Sequence, residues 1–182
     1  MDERQHADVL DLAELLYGQI LAQLGVSGVS CTACARALLP APFNWESHTY
    51  TISASQSWTW DVAFARAVVT RRPSRTGAHE LDSAQLAHFL EHHGHVLEDH
   101  LAHIPSALLD EAVLIAPLPD GRGHVLIDGS HRATRRLRAL QPVRGVILTR
   151  VESALAQDVV PLAMRRVYDA LRGRGLLADL RG

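Results

Sequence analysis

The order of short apolar runs and chain breakers between residues 113 and 149 restricts this chain more than any other feature. Val113–Ala116 is a continuous apolar run, the proline- and glycine-rich turn 117–123 follows, and His124-Val125-Leu126-Ile127 is a second run. Two short runs across such a turn predict a β-hairpin. Asp128-Gly129-Ser130 breaks the second strand, Ala133–Leu140 predicts a helix that Pro142 ends, and Val143–Thr149 predicts a third strand. The expectation is an α+β fold, a small mixed sheet with flanking helices.

The rest of the chain is organised around that segment. Val9, Leu12, Leu16, Ile20 and Leu24 recur at helical spacing, with Asp8, Asp11 and Glu14 near the start of the run, so 6–24 predicts a helix stopped by Gly25. A short second helix is expected over 31–39, ended by Pro40 and Pro42. Residues 43–60, rich in Trp, Tyr, Thr and Ser, predict extended structure with loops. Asp61–Thr70 reads as a strand on Val62, Phe64, Val68 and Val69, although Ala63, Ala65 and Ala67 leave a helix open. Helices are expected over 82–93, capped by Asp82 or Ser83 and stopped by Gly94, then over about 95–103, 152–157 and 161–173, with a further turn at 106–111. Three segments follow: an N-terminal helical extension over 1–42, an α+β domain over 43–150 and a C-terminal helical tail over 151–182. The N-terminal helix is a candidate homodimer contact.

A strand that runs through a glycine-containing turn into a helix aims several backbone N–H groups at one spot, and the helix end adds partial positive charge. Gly129 allows close approach of the backbone, Ser130 offers a cap and a hydroxyl, and His131 and Arg132 add donors. Asp128, at the strand end, can orient a hydroxyl, bind Mg²⁺ or act as a base. The same residues also suit a plain turn with a serine cap, and the two readings stand level on the residues alone.

Charge distribution bears on the choice. All 18 basic residues are arginine, which fits a GC-rich genome. Residues 1–120 carry 15 acids and 6 arginines, whereas residues 121–182 carry 5 acids and 12 arginines, so an anionic partner is expected to meet the last third of the chain. With 47% apolar residues the composition is that of a globular domain, not a disordered one. No apolar run approaches the ~20 residues of a membrane span, and Met1–His6 lacks the pattern of a secretory signal, so a cytoplasmic protein without membrane contact is expected.

The segment from Gly123 to Leu148, GHVLIDGSHRATRRLRALQPVRGVIL, resembles the core of the ParB N-terminal/sulfiredoxin superfamily, in which a hairpin strand ends in a phosphate-contacting turn before a helix and a strand. The resemblance covers about residues 60–150 and implies nucleotide binding, with Gly129, Ser130, His131 and Arg132 on the phosphates. It departs from sulfiredoxins, which need a cysteine where Ser130 stands, and from chromosome-partition ParB proteins, whose helix-turn-helix region and dimer domain together need more than the 32 residues after Arg150. The turn Asp128-Gly129-Ser130-His131-Arg132 is similar to the Asp-Gly-His-x-Arg turn of the superfamily's free-serine kinases. Those kinases use an upstream acidic base, for which Glu46, Asp61 and Glu80 are candidates. The resemblance thus implies ATP-dependent phosphoryl transfer or hydrolysis, with Asp128 and His131 as catalytic residues and ATP or another nucleotide with Mg²⁺ as cofactors.

A second reading comes from the arginines behind the turn. Arg132, Arg135 and Arg136 fall three and four residues apart on one helix face, with Arg138 and Arg144 nearby, so a non-catalytic DNA- or RNA-binding module is the alternative. A solvated face is the plainer reading. Seven of the eleven histidines lie in 79–103, with His88 and His92 at i, i+4, yet no His-Glu-x-x-His pattern accompanies them, and a polar titrating helix is expected. Cys31 and Cys34 form a single Cys-x-x-Cys pair, short of the four ligands of a structural zinc, and are expected to be plain thiols. Trp45, Tyr50, Trp58, Trp60 and Phe64 suit either the stacking of a ligand base or the core of a small sheet, the latter being expected.

Overall fold

A computed structural model describes residues 41–42, 45–71, 77–91, 96, 98–104 and 106–173. The helices expected over 6–24 and 31–39, the pair Cys31 and Cys34, and His92, His93 and His95 lie outside the described residues. The chain divides into two compact units, Glu46–Val160 and a second made of Met1–Trp45 with Pro161–Gly182.

The first unit begins with a hairpin, β1 (Ser47–Ser53) and β2 (Gln56–Asp61), antiparallel with Ser47 opposite Asp61 and Tyr50 opposite Trp58. The next element corrects an expectation. Of residues 61–70, read as a strand with a helix left open, Asp61 ends β2 and the rest lie in helix α1 (Val62–Arg71). The Asp61 carboxylate accepts a 2.8 Å bond from the Phe64 N–H and so caps the helix. The interleaved alanines favour helix, and Val62 and Ala65 bury one face at i, i+3 spacing. The valines had suggested β structure; the cap and the burial of Ala65 outweigh their modest propensity.

The remaining elements are β3 (His79–Leu81), α2 (Ser83–Glu91), α3 (Glu98–His103), α4 (Ser106–Leu109), β4 (Val113–Pro117), β5 (His124–Asp128), α5 (Ser130–Arg138), β6 (Val143–Ile147) and α6 (Arg150–Asp158). Asp82 caps α2 reciprocally: its carboxylate accepts from the Gln85 N–H at 2.7 Å, and the Gln85 side chain accepts from the Asp82 N–H at 3.2 Å. A four-stranded sheet has the order β3-β6-β4-β5, with β4 antiparallel to β5 and parallel to β6. The expected hairpin, helix and strand over 113–149 are therefore present as β4, β5, α5 and β6, in a mixed α+β architecture.

All five residues of β4 are buried, as its unbroken apolar run requires of a strand covered on both faces. Leu114 and Ala116 join Val125, Ile127 and Val146 in a cluster with Trp60, Ala65 and Ala156, contributed by β2, α1 and α6. Val113 and Ile115 join Leu126 and Val143 in a second cluster with Leu86 and Ala133, from α2 and α5. Alternation along each strand thus sorts side chains to two cores. Trp60 is fully buried, and Tyr50, Trp58 and Phe64 pack on the first cluster, the structural one of their two expected roles. Its indole donates to Ser153 Oγ at 2.9 Å, and that hydroxyl donates to the Pro117 carbonyl at 3.1 Å, tying β2, α6 and β4 together.

Helix α5, expected to reach Leu140, ends at Arg138. The Gln141 N–H donates to Arg136 O and the Leu140 N–H to Leu137 O, a Schellman closure that places Leu140 at φ 53 with 94% exposure. In the second unit, helix α7 (Val160–Gly173) buries Met164, Val167 and Leu171 at spacings of three and four. No helix among the described residues is long and apolar enough to cross a membrane.

Candidate functional site

Strand β5 enters the core at Val125 and stays buried through Asp128. The chain then turns at Gly129, whose φ of 89 and ψ of 18 lie in the left-handed region. A Cβ there would lie 2.7 Å from Val113 Cγ1 and 2.9 Å from an Arg132 nitrogen, so glycine is demanded by both conformation and space. Gly129 is the N-cap of α5: its carbonyl accepts from the Ala133 N–H at 2.8 Å, and it contributes no side-chain cap. The N–H groups of Ser130, His131 and Arg132 precede the first intrahelical bond and have no partner inside the helix. The macrodipole makes this end of α5 electropositive.

Asp128 is held inside a clamp. Arg66 of α1 donates from Nε to Oδ2 at 2.8 Å and from Nη2 to Oδ1 at 2.7 Å, and Arg132 Nη2 donates to Oδ2 at 3.2 Å. Burial pushes the Asp128 carboxyl up, but the Arg66 hydrogen bonds and the two guanidinium charges outweigh it and hold the group below the usual carboxylate range. Against the opposing effect of burial, Asp128, with Glu46 and Glu111, raises the Arg66 guanidinium above its ordinary value. Arg66 Nη1 lies 3.0 Å from Glu46, and Arg132 Nη1 lies 4.0 Å from Glu111. Five groups, Glu46, Arg66, Asp128, Arg132 and Glu111, therefore alternate in sign across the base of the turn.

Arg132 also donates to the Ala112 carbonyl at 3.3 Å, while its Nε is buried with no hydrogen-bond partner among the described residues. An unmet guanidinium N–H in a dry position costs free energy, and an acceptor brought to it recovers that cost. Beside it, Ser130 is buried with its hydroxyl 3.4 Å from His131 Nδ1. The His131 ring meets His100 of α3 edge to face, centroids 4.4 Å apart and planes at 88°. Burial and the nearby His103 push His100 down, which favours its neutral form.

The structure gathers Asp128, Gly129, Ser130, His131 and Arg132 into one turn and parts them from the other arginines. The expectation that Arg132, Arg135 and Arg136 present a shared basic face is corrected. Arg135 Nη1 donates to the Leu101 and Ile104 carbonyls at 3.1 and 3.0 Å, closing the C-terminal end of α3. Arg136 donates to the Pro142 and Leu109 carbonyls at 2.7 and 2.8 Å and pairs with Asp110 at 2.7 Å. Arg138 forms a two-pronged pair with Glu98, 2.7 Å on each side. Short helices leave terminal carbonyls open, and these arginines fill that need. Arg144 is exposed on β6, opposite Glu80 of β3.

Of the three upstream acids, Glu46 alone joins the turn's charge network; Asp61 caps α1 and Glu80 lies exposed at the sheet edge. Arg66 was not legible as a site residue, because its position depends on 62–71 being helical. Asp128 does not suit Mg²⁺, since both of its oxygens already accept from guanidinium groups that a cation would have to displace. Among the described residues no group of three or more His, Cys, Asp or Glu side chains gathers at metal-binding distance. A separate cleft of about 290 Å³ opens at the other end of β5, lined by Tyr50, Ile52, His88, Phe89, Leu118 and His124 among others. No protein-family model, curated protein or solved structure matches the chain.

Proposed function

We propose that the chain is a nucleotide-binding protein of ParB/sulfiredoxin-like kind, whose turn from Asp128 to Arg132 holds phosphate groups for ATP-dependent phosphoryl transfer or hydrolysis. One observation carries the reading: the open end of α5 and the buried, unpartnered Nε of Arg132 belong to the same turn, immediately after a left-handed glycine. Backbone N–H groups at a helix start and a dry guanidinium together favour a multiply charged oxyanion. Gly129, Ser130 and Arg132 supply the grip, and His131 supplies a ring nitrogen beside it. Asp128 serves by fixing Arg66 and Arg132, because a carboxylate held low with both oxygens occupied is a weak base. Positioning and charge stabilisation are what phosphoryl transfer chiefly requires.

Calorimetric titration with ATP, CTP and ADP tests this. Binding of at least one nucleotide by the parent chain, with a clear loss in Arg132→Ala that is still folded at the assay temperature, is the expected result. Absence of binding by the parent chain, or undiminished binding by that variant, defeats the proposal. The alternative, nucleic acid held along 132–144, is not favoured, since Arg135, Arg136 and Arg138 are engaged with the chain's own carbonyls and carboxylates.

A further inference from the structure

The proposed phosphate turn carries a carboxylate at its entrance. Asp128 immediately precedes Gly129, and an uncompensated negative charge there would repel an anion arriving at the first turn of α5. Arg132 meets part of that charge through Nη2, which also donates to the Ala112 carbonyl, and its Nε is left for a phosphate. Arg66 meets the carboxylate from the other side, taking both oxygens in a fork. Its remaining nitrogen is oriented by Glu46, which fixes the guanidinium from the hairpin side.

We infer that Arg66 is a positioning residue of the anion site: by neutralising Asp128 from α1, it leaves Arg132 and the start of α5 available to a phosphate group. Without Arg66 the Asp128 carboxylate would have Arg132 as its one cationic partner in this network, would draw that guanidinium off the turn, and would stand against the incoming charge. Arg66 itself need not touch the ligand. The inference rests on the nucleotide reading above, and it adds a residue 62 positions upstream of the motif.

The test is ATP titration of the full chain, as the parent, Arg66→Gln, Arg66→Lys and the double variant Arg66→Gln/Asp128→Asn, each shown by thermal melting to be folded at the assay temperature. Arg66→Gln is expected to bind at least about tenfold more weakly, because a full charge is left uncompensated within a few ångströms of the ligand. Arg66→Lys retains the charge and is expected within about fivefold of the parent. Removing the offending charge in the double variant is expected to recover most of the loss, an effect that a purely structural role for Arg66 would not produce. Parent-like binding by Arg66→Gln, equal weakening by Gln and Lys, or a folded double variant no better than the single one overturns the inference. Should the double variant not fold, the contrast between Gln and Lys decides. If the parent binds ATP through Arg132 and Arg66→Gln is indifferent, the inference alone fails; if the parent binds no nucleotide, the functional reading fails with it.

Discussion

Replacing Asp128 by Asn removes one negative charge from a buried network and leaves two guanidiniums facing an amide. The side chain of Asp128 is 5% exposed, that of Arg132 11% and that of Arg66 43%. Breaking a buried pair by removing one partner costs about 3–5 kcal/mol, because the remaining charge stays buried. Arg66 can turn toward water, whereas Arg132 cannot, so a loss of about 3 kcal/mol, near the lower end of that range, is expected. For a chain of 182 residues this corresponds to a fall in Tm of roughly 6–12 °C. Urea unfolding followed from pH 7 to pH 2 provides the assay. The parent's Asp128 carboxyl is depressed in the folded state, so its contribution is complete above the ordinary aspartate value and is lost as pH falls through the lower, folded one. The gap between parent and variant should therefore be constant above about pH 5 and narrow steadily below about pH 4. A gap under about 1 kcal/mol at pH 7, or one that persists undiminished into acid, would refute the clamp as a source of stability.

Other perturbations address separate links. Gly129→Ala forces a Cβ into a left-handed position against Val113 and should cost about 1–3 kcal/mol in urea unfolding; a neutral result would show that the turn relaxes freely. Ser153→Ala leaves the Trp60 indole and the Pro117 carbonyl without their shared partner, for an expected loss of about 1–3 kcal/mol by the same measurement. Leu140→Gly should instead stabilise the chain by about 0.5–1 kcal/mol, since an exposed leucine sits where the helix closure wants glycine; a lowered Tm would contradict this. Arg135→Ala should speed amide exchange at the end of α3 while leaving ATP affinity unchanged; loss of affinity would return Arg135 to the binding surface.

Local information in the sequence was sufficient wherever pattern and burial coincide. The breakers at 117–123, 128–130 and 142 bound the elements β4, β5, α5 and β6, because turns and caps are set by residues adjacent in the chain. The apolar run of β4 marked a strand, and the fold buries all five of its residues. The turn itself was equally legible, with Ser130, His131 and Arg132 as neighbours within it, while the left-handed conformation of Gly129 is read from the structure. Residues 61–70 are ambiguous in sequence, because Val62, Phe64, Val68 and Val69 suit a strand while Ala63, Ala65 and Ala67 suit a helix, and only the Asp61 cap and the buried face of α1 decide for helix.

The arginines separate what the sequence by itself determined from what the tertiary structure decided. Composition and spacing placed twelve arginines after residue 120 and five of them at and behind one turn. Which arginines remain open to a ligand depends on what else lies within 3 Å of each. The fold gives Arg135 and Arg136 to the carbonyl ends of α3 and α4, and Arg138 to Glu98. From a helix distant in the chain it brings Arg66, with Glu46, onto Asp128. Hydrogen bonds and charge pairs reach only a few ångströms, so the partner of a long side chain is set by the folding of remote segments into contact, which no local pattern records.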